Sequence, residues 1–239
     1  MTGKIYVLTR GGFGNIIFNY LIGYSLAKTH GMELYLIPDN HGNRPPINRY
    51  QIFNTLNMIS QKDPQCITIN EKEYVYKPVI IEDTEKSYLL NGYYQSYKYS
   101  ENYLQEIKKE LFNNIPELYE QTRQMMTTIK GNRTAILLHV RRGDYLRLPN
   151  YHPTQPDKYY DNALEIIFKK LEITMEEKDK YIIMCFSDDI KFLQNWSLLK
   201  KYNHYIVQES DILKTFLLMV LCYHYVICNF CYSFFFFYF

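Results

Sequence analysis

Arg141 and Arg142 stand side by side after the apolar run AILLHV (135–140), with Gly143 and Asp144 next in the chain. Two adjacent guanidiniums near free backbone N–H groups make a diphosphate clamp. Each charge-assisted bond contributes roughly 1.5–3 kcal/mol when partly desolvated. Side chains alternate on a strand, so His139 and Arg141 share a face and Arg142 points the other way. Both arginines reach one ligand only if the chain leaves the strand at about Val140, and Gly143 makes that turn easy. The competing reading is a surface ion-pair cluster of Arg142 with Asp144.

Ser187, Asp188 and Asp189 close a second apolar run, YIIMCF. Adjacent carboxylates there suit a metal, a base, or a hydrogen bond to a nucleobase or ribose edge. They also suit helix capping, with Ser187 or Asp188 as the cap and Asp189 in the first turn. We expect one aspartate for each task and no metal, because no further carboxylates converge in the spacing.

GGFGN (11–15) follows a strand pattern and opens a helix, but Ile17 stands where a dinucleotide fingerprint needs its third glycine. It offers close backbone approach at Gly14, a helix N-terminus, and Asn15 as a side-chain donor and acceptor. A plain tight turn explains it as well. GYYQSYKY (92–99) is a polar aromatic loop of the kind on which sugars stack.

The elements that must position these residues alternate between strand and helix. KIYVLTR, a helix with apolar residues Ile17, Tyr20, Leu21 and Tyr24 that ends at Gly31, and MELYLIPD form one βαβ unit. A short helix after RPPINRY, a strand in VYKPVII, a strand ending near Gly92 and helices over about 102–113 and from Pro116 follow. A second series starts after GNR (131–133): strand AILLHV, helix, strand KYIIMCF, helix IKFLQNWSLL, strand HYIVQES, helix DILKTFLLMVLCYH, strand YVICN. This pattern predicts an α/β, doubly wound, mostly parallel architecture of two Rossmann-like domains facing a cleft, residues 1–130 and 131–239. Ligands in such sheets bind beyond the carboxyl ends of the strands, where each motif falls.

Composition fits a folded chain: 239 residues, 47% hydrophobic and 22% charged. A net charge of +2 gives no bulk electrostatic basis for nucleic-acid binding. The abundance of Tyr (25) and Phe (14) discounts single aromatic residues as signals. Five cysteines without a pairing pattern predict a reducing compartment and buried structural thiols, including the C-x-x-C pair Cys228 and Cys231. The amino terminus has no secretory signal, so a cytoplasmic location is expected. The uncharged stretch Phe216–Phe239 is long enough for a membrane anchor or peripheral membrane contact. His224, Asn229 and many β-branched and aromatic residues speak against a spanning helix.

Taken together, GGFGNIIFNYLIGYSLAKTHG, GYYQSYKY, HVRRGDYL, FSDDIKFLQ and DILKTFLLMVLCYHYVICN occur in an order that resembles the α-1,2-fucosyltransferases of glycosyltransferase family 11. The resemblance covers nearly the whole chain. It implies a GT-B-like fold whose first domain takes the acceptor and whose second binds GDP-fucose. It implies transfer of fucose to the 2-hydroxyl of a galactose-terminated glycan, with inversion and without a metal. Arg141 would neutralise the leaving diphosphate, and Asp144 would orient the arginines or serve as base. His139 and Arg142 would support the nucleotide, and Asp188 or Asp189 would read guanine or ribose. Asn15 would face the fucosyl phosphate.

The family's closing NSSFSWW-like motif reads here as NFCYSFF, with Asn229 and Ser233 kept and two small hydroxyl residues replaced by Phe230 and Cys231. The chain then stops where relatives run on, so the second domain is expected to be incomplete. That alignment reads the apolar tail as helix, strand and loop. An inactive GDP-sugar or glycan-binding relic of the same fold is the alternative.

Overall fold

The computed structural model describes residues 2–38, 48–53 and 58–228. The described residues divide into two compact units, those up to Pro116 and those from Glu117 to 228. The helix that starts at Pro116 therefore goes with the second unit, so the boundary falls before it and not at the expected 130/131.

The first unit runs β1 (Lys4–Thr9), α1 (Phe13–His30), β2 (Glu33–Pro38), β3 (Ile67–Asn70), β4 (Tyr88–Asn91) and α2 (Leu104–Asn113). Its strands form one sheet in the order β2-β1-β4-β3, every pair parallel. Ile5 and Val7 are wholly buried, as is Leu90 beside them, and the alternate residues Tyr6 and Leu89 are buried as well, so both faces of the central strands are covered. α1 carries buried residues nearly all round, from Phe13 through Ala27. It stops at Gly31, which adopts the left-handed conformation at φ 63° and returns its N–H to the Ala27 carbonyl.

The second unit runs α3 (Pro116–Lys130), β5 (Thr134–Val140), α4 (Asp157–Leu171), β6 (Tyr181–Ser187), α5 (Ile190–Asn195), β7 (His204–Ile206), α6 (Ile212–Val220) and β8 (His224–Val226). The order β7-β6-β5-β8 is again fully parallel. Counted within the unit it is 3-2-1-4, four of the six positions of a dinucleotide-type sheet, with its reversal between β5 and β8. Ile136, Leu138 and Val140 of β5 pack with Tyr181, Ile183 and Cys185 of β6 against Tyr160, Leu164 and Phe168, which recur every fourth residue of α4. The alternate residues Ala135, Leu137 and His139 are buried too, so the sheet is covered on both faces.

Several local expectations change. VYKPVII is not a strand; Tyr74, Val75, Tyr76 and Ile80 lie exposed in an irregular segment around Pro78. The strand is instead ITIN (67–70), which pairs with β4. IKFLQNWSLL breaks at Trp196 into α5 and a 3-10 turn. The apolar tail begins as α6 and β8, and no helix among the described residues is long and apolar enough to cross a membrane. Cys185, Cys222 and Cys228 are buried thiols, but Cys66 is partly exposed. Asn229, Cys231 and Ser233 lie outside the described residues.

Candidate functional site

β5 ends at Val140, and the two arginines stand just beyond it. Beside them β6 ends at Ser187, because Val140 and Ser187 are register partners. Two arginines and two aspartates thus meet at neighbouring strand ends, next to the place where the strand order reverses. Open α/β sheets hold their ligands there.

Asp188 ties the two turns together. Its Oδ1 accepts the backbone N–H of Arg142 at 2.9 Å, and its Oδ2 lies 3.0 Å from Nη1 of Arg141. Asp144 takes the other side of the Arg141 guanidinium, with Nε 3.0 Å and Nη2 2.8 Å from Oδ1. Arg141 therefore carries two carboxylate partners inside its own unit, and the ion pair read from the sequence belongs to Arg141 and not to Arg142. Its side chain is 26% exposed.

Arg142 is arranged differently. Its guanidinium carbon sits 3.8 Å from the centroid of the Phe192 ring, a short cation–π contact. Its Nε is buried and makes no hydrogen bond, and the nearest carboxylate oxygen, Asp189 Oδ2, is 3.5 Å away. The Arg142 side chain as a whole is 26% exposed, so part of it is open to a ligand while Asp189 neutralises it from within.

Asp189 is the cap of α5, accepting the Phe192 N–H at 2.9 Å, while its own N–H bonds to Ser187 Oγ at 3.0 Å. One of the adjacent aspartates does cap the helix, but the cap is Asp189 and not Ser187 or Asp188, and Asp188 faces the arginines. Gly143 has no room for a side chain, since a Cβ there would stand 2.5 Å from Asp188 Oδ2.

His139 lies beneath this arrangement and is 6% exposed. Its Nδ1 is 3.4 Å from the Cys228 sulfur, beyond the end of β8. Burial, with Arg141 adding to it, pulls the imidazole down to about 4, so it is neutral at ordinary pH. Cys228 was read from the sequence only as a buried thiol. Its neighbour is 89 positions away, and no local signal pairs them.

The first unit has its own cluster at a strand end. Gly14 is the second residue of α1 and buried, and Gly12 is its cap. Asn15 Oδ1 accepts from Gln95 Nε2 at 2.8 Å, and Asn19 Nδ2 donates to the Gly92 carbonyl at 2.8 Å. Residues 11–19 are thus pinned to the loop after β4, where this sheet also reverses its order. Gly11 adopts φ +75° and lies against the Asn15 side chain, so a substitution there is strained and crowded. Among the described residues no group of three or more His, Cys, Asp or Glu side chains is placed to hold a metal ion.

Two parallel α/β sheets with arginines held at a strand end describe a protein of GT-B-like build. The chain belongs to glycosyl transferase family 11, a fucosyltransferase family, whose model matches residues 69–239. No curated protein sequence matches the chain. Its fold is similar to a crystal structure of the fucosyltransferase NodZ from Bradyrhizobium, with a TM-score of 0.61 at 14% identity, over 98% of this chain and 92% of that one. A NodZ alpha-1,6-fucosyltransferase co-crystallised with GDP gives 0.59 at 13%, over 98% and 92%. The same enzyme soaked with GDP-fucose gives 0.56 at 13%, over 97% and 91%. At these identities the likeness speaks for the fold alone.

Proposed function

We propose that this chain transfers fucose from GDP-fucose to the 2-hydroxyl of a galactose-terminated glycan, with inversion and without a metal. The observation that carries the donor half is the pair of partly exposed arginines, Arg141 and Arg142, held side by side by Asp188 at the end of β5. The NodZ structures obtained with GDP and with GDP-fucose support the choice of donor. The linkage comes from the motif resemblance, since NodZ itself is an alpha-1,6 enzyme.

Glycosyl transfer passes through an oxocarbenium-like state in which negative charge grows on the departing phosphate oxygen. Fixed cations aimed at that oxygen bind this state better than the ground state, which lowers the barrier. Arg141 takes that role, the guanidinium of Arg142 holds the diphosphate, and Asp188 fixes both residues, Arg141 through its side chain and Arg142 through its main chain. His139, neutral and enclosed, supports the strand end without adding charge. Asp144 orients Arg141 or accepts the hydroxyl proton; its side chain is 60% exposed, which lets it do either.

The relic reading is favoured by one observation, that Arg141 is already neutralised by Asp144 and Asp188. Incubation with GDP-fucose and lactose separates the readings. GDP release only when lactose is present marks the transferase. Tight GDP binding without turnover marks the relic, and release without lactose marks a hydrolase. EDTA leaves the transferase rate unchanged; a loss that Mn²⁺ restores assigns Asp188 and Asp189 to a metal.

A further inference from the structure

We infer that the exposed tyrosines Tyr74 and Tyr76, backed by Tyr93 and Tyr99, form a stacking platform for an uncharged oligosaccharide, the acceptor chain beyond its terminal sugar. The inference rests on a glycan acceptor. Tyr74 is 83% exposed and Tyr76 40%, with Val75 between them at 57%. Large aromatic rings held at the surface beside one another in sequence are the kind of exposed apolar area that marks a binding face. Each ring has an aromatic support. Tyr74 and Tyr93 centroids lie 6.4 Å apart, and Tyr76 and Tyr99 4.8 Å apart.

The support is built rigidly. Tyr94 sits at φ 48°, a conformation that a bulky residue adopts only when its surroundings hold it. Its N–H donates to Glu71 Oε1 at 3.1 Å, its hydroxyl to the Ile69 carbonyl at 2.9 Å, and its ring meets Tyr99 edge-on. Tyr99 Oη in turn accepts the Lys77 N–H at 3.1 Å, tying the exposed segment to the loop. Gln95 of that loop bonds Asn15, so the platform is continuous with the polar cluster at the end of β1.

Charge decides the occupant. Glu71 is occupied by the N–H groups of Tyr93 and Tyr94, and Lys77 pairs with Glu73 at 2.6 Å. The Lys98 ammonium lies 5.5 Å from the Tyr76 centroid. The local charges are mostly engaged within the protein, leaving little field to draw nucleic acid or an anionic lipid. Aromatic faces with phenol hydroxyls at their edges match the C–H faces and hydroxyls of a neutral sugar chain.

The test uses the full chain without donor. Dissociation constants are measured by NMR titration for lactose and for a neutral galactose-terminated tetrasaccharide, with wild type, Y74A/Y76A and Y74F/Y76F. GDP binding is measured in the same samples by calorimetry. The longer glycan should bind wild type and the Phe variant roughly three- to tenfold more tightly than lactose, as one or two stacked rings provide. In the Ala variant that advantage should vanish while GDP affinity is kept. Equal affinity for both glycans in wild type, or an advantage that survives Y74A/Y76A, overturns the platform. So does self-association, or binding to phosphatidylcholine vesicles, that Y74A/Y76A abolishes, because the face then belongs to a second copy or to lipid. Loss of GDP binding in wild type sinks the donor reading alone, since the glycan comparison needs no nucleotide.

Discussion

Asp188 reaches Arg142 through the main chain and not through its guanidinium: Oδ1 accepts the arginine N–H at 2.9 Å. One carboxylate therefore sets the path of the turn after β5 and, through its second oxygen, the aim of Arg141.

Replacing Arg141 by Ala should lower kcat/KM for GDP-fucose by at least about 10²-fold, the 2.7–4 kcal/mol range typical of a lost transition-state contact. Steady-state kinetics with lactose checks this. An unchanged rate takes the residue out of the mechanism.

Asp144→Asn should tighten GDP binding several-fold at low ionic strength, because it frees one side of the Arg141 guanidinium. The gain should shrink in high salt, since the Asp144 side chain is 60% exposed and its field is screened. Calorimetry at two salt concentrations measures it. A fall in kcat of about 10²-fold in the same variant assigns Asp144 as the base.

Gly143→Ala pushes a Cβ to within 2.5 Å of Asp188 Oδ2, so the carboxylate must move. We expect GDP affinity to drop about tenfold, the loss of one to two charge-assisted hydrogen bonds after relaxation, while urea stability changes little. Retained affinity would show that Asp188 does not aim the arginines.

His139 gives stability a pH dependence. Its folded value of about 4 lies below the ordinary 6.5, so between these values the unfolded chain binds the proton and the folded one does not. Stability is then fully present above about 6.5 and is lost as pH falls toward 4, by up to roughly 3 kcal/mol. Urea titrations at pH 7 and pH 4.5 should differ accordingly, and His139→Gln should flatten the difference.

Leu164 is wholly buried against β5 and β6, so Leu164→Ala should cost about 2–5 kcal/mol in urea unfolding. A cost below 1 kcal/mol would mean that the α4 face is loosely packed.

The core strands were legible because their chemistry is monotonous. Thr134–Val140 and Tyr181–Ser187 are buried nearly throughout, and unbroken apolar runs between turn residues have few other uses. Gly31 was legible as a helix end for the same kind of reason. β3 was not, since its alternation, Ile-Thr-Ile-Asn, is only four residues long and three of the four are exposed at the sheet edge. VYKPVII misled in the opposite sense, because apolar character does not reveal whether a segment is covered. Within the site, the strand ends and the arginines could be read from order alone. Which of two adjacent aspartates caps α5 could not, as both satisfy the capping rule and only the register of β5 with β6 separates them. The contact of His139 with Cys228 depends on β8 returning beside β5, a choice no local window contains.

Among the described residues the eight strands form no antiparallel pair, so none of them can zip early as a hairpin. Every neighbouring pair waits for a crossover to close, and the β5–β8 contact closes only after most of the second unit has been synthesised. Such a chain spends its first moments with adhesive strand edges bare, so slow, cool translation or chaperone shelter should decide how much of it is recovered in usable form.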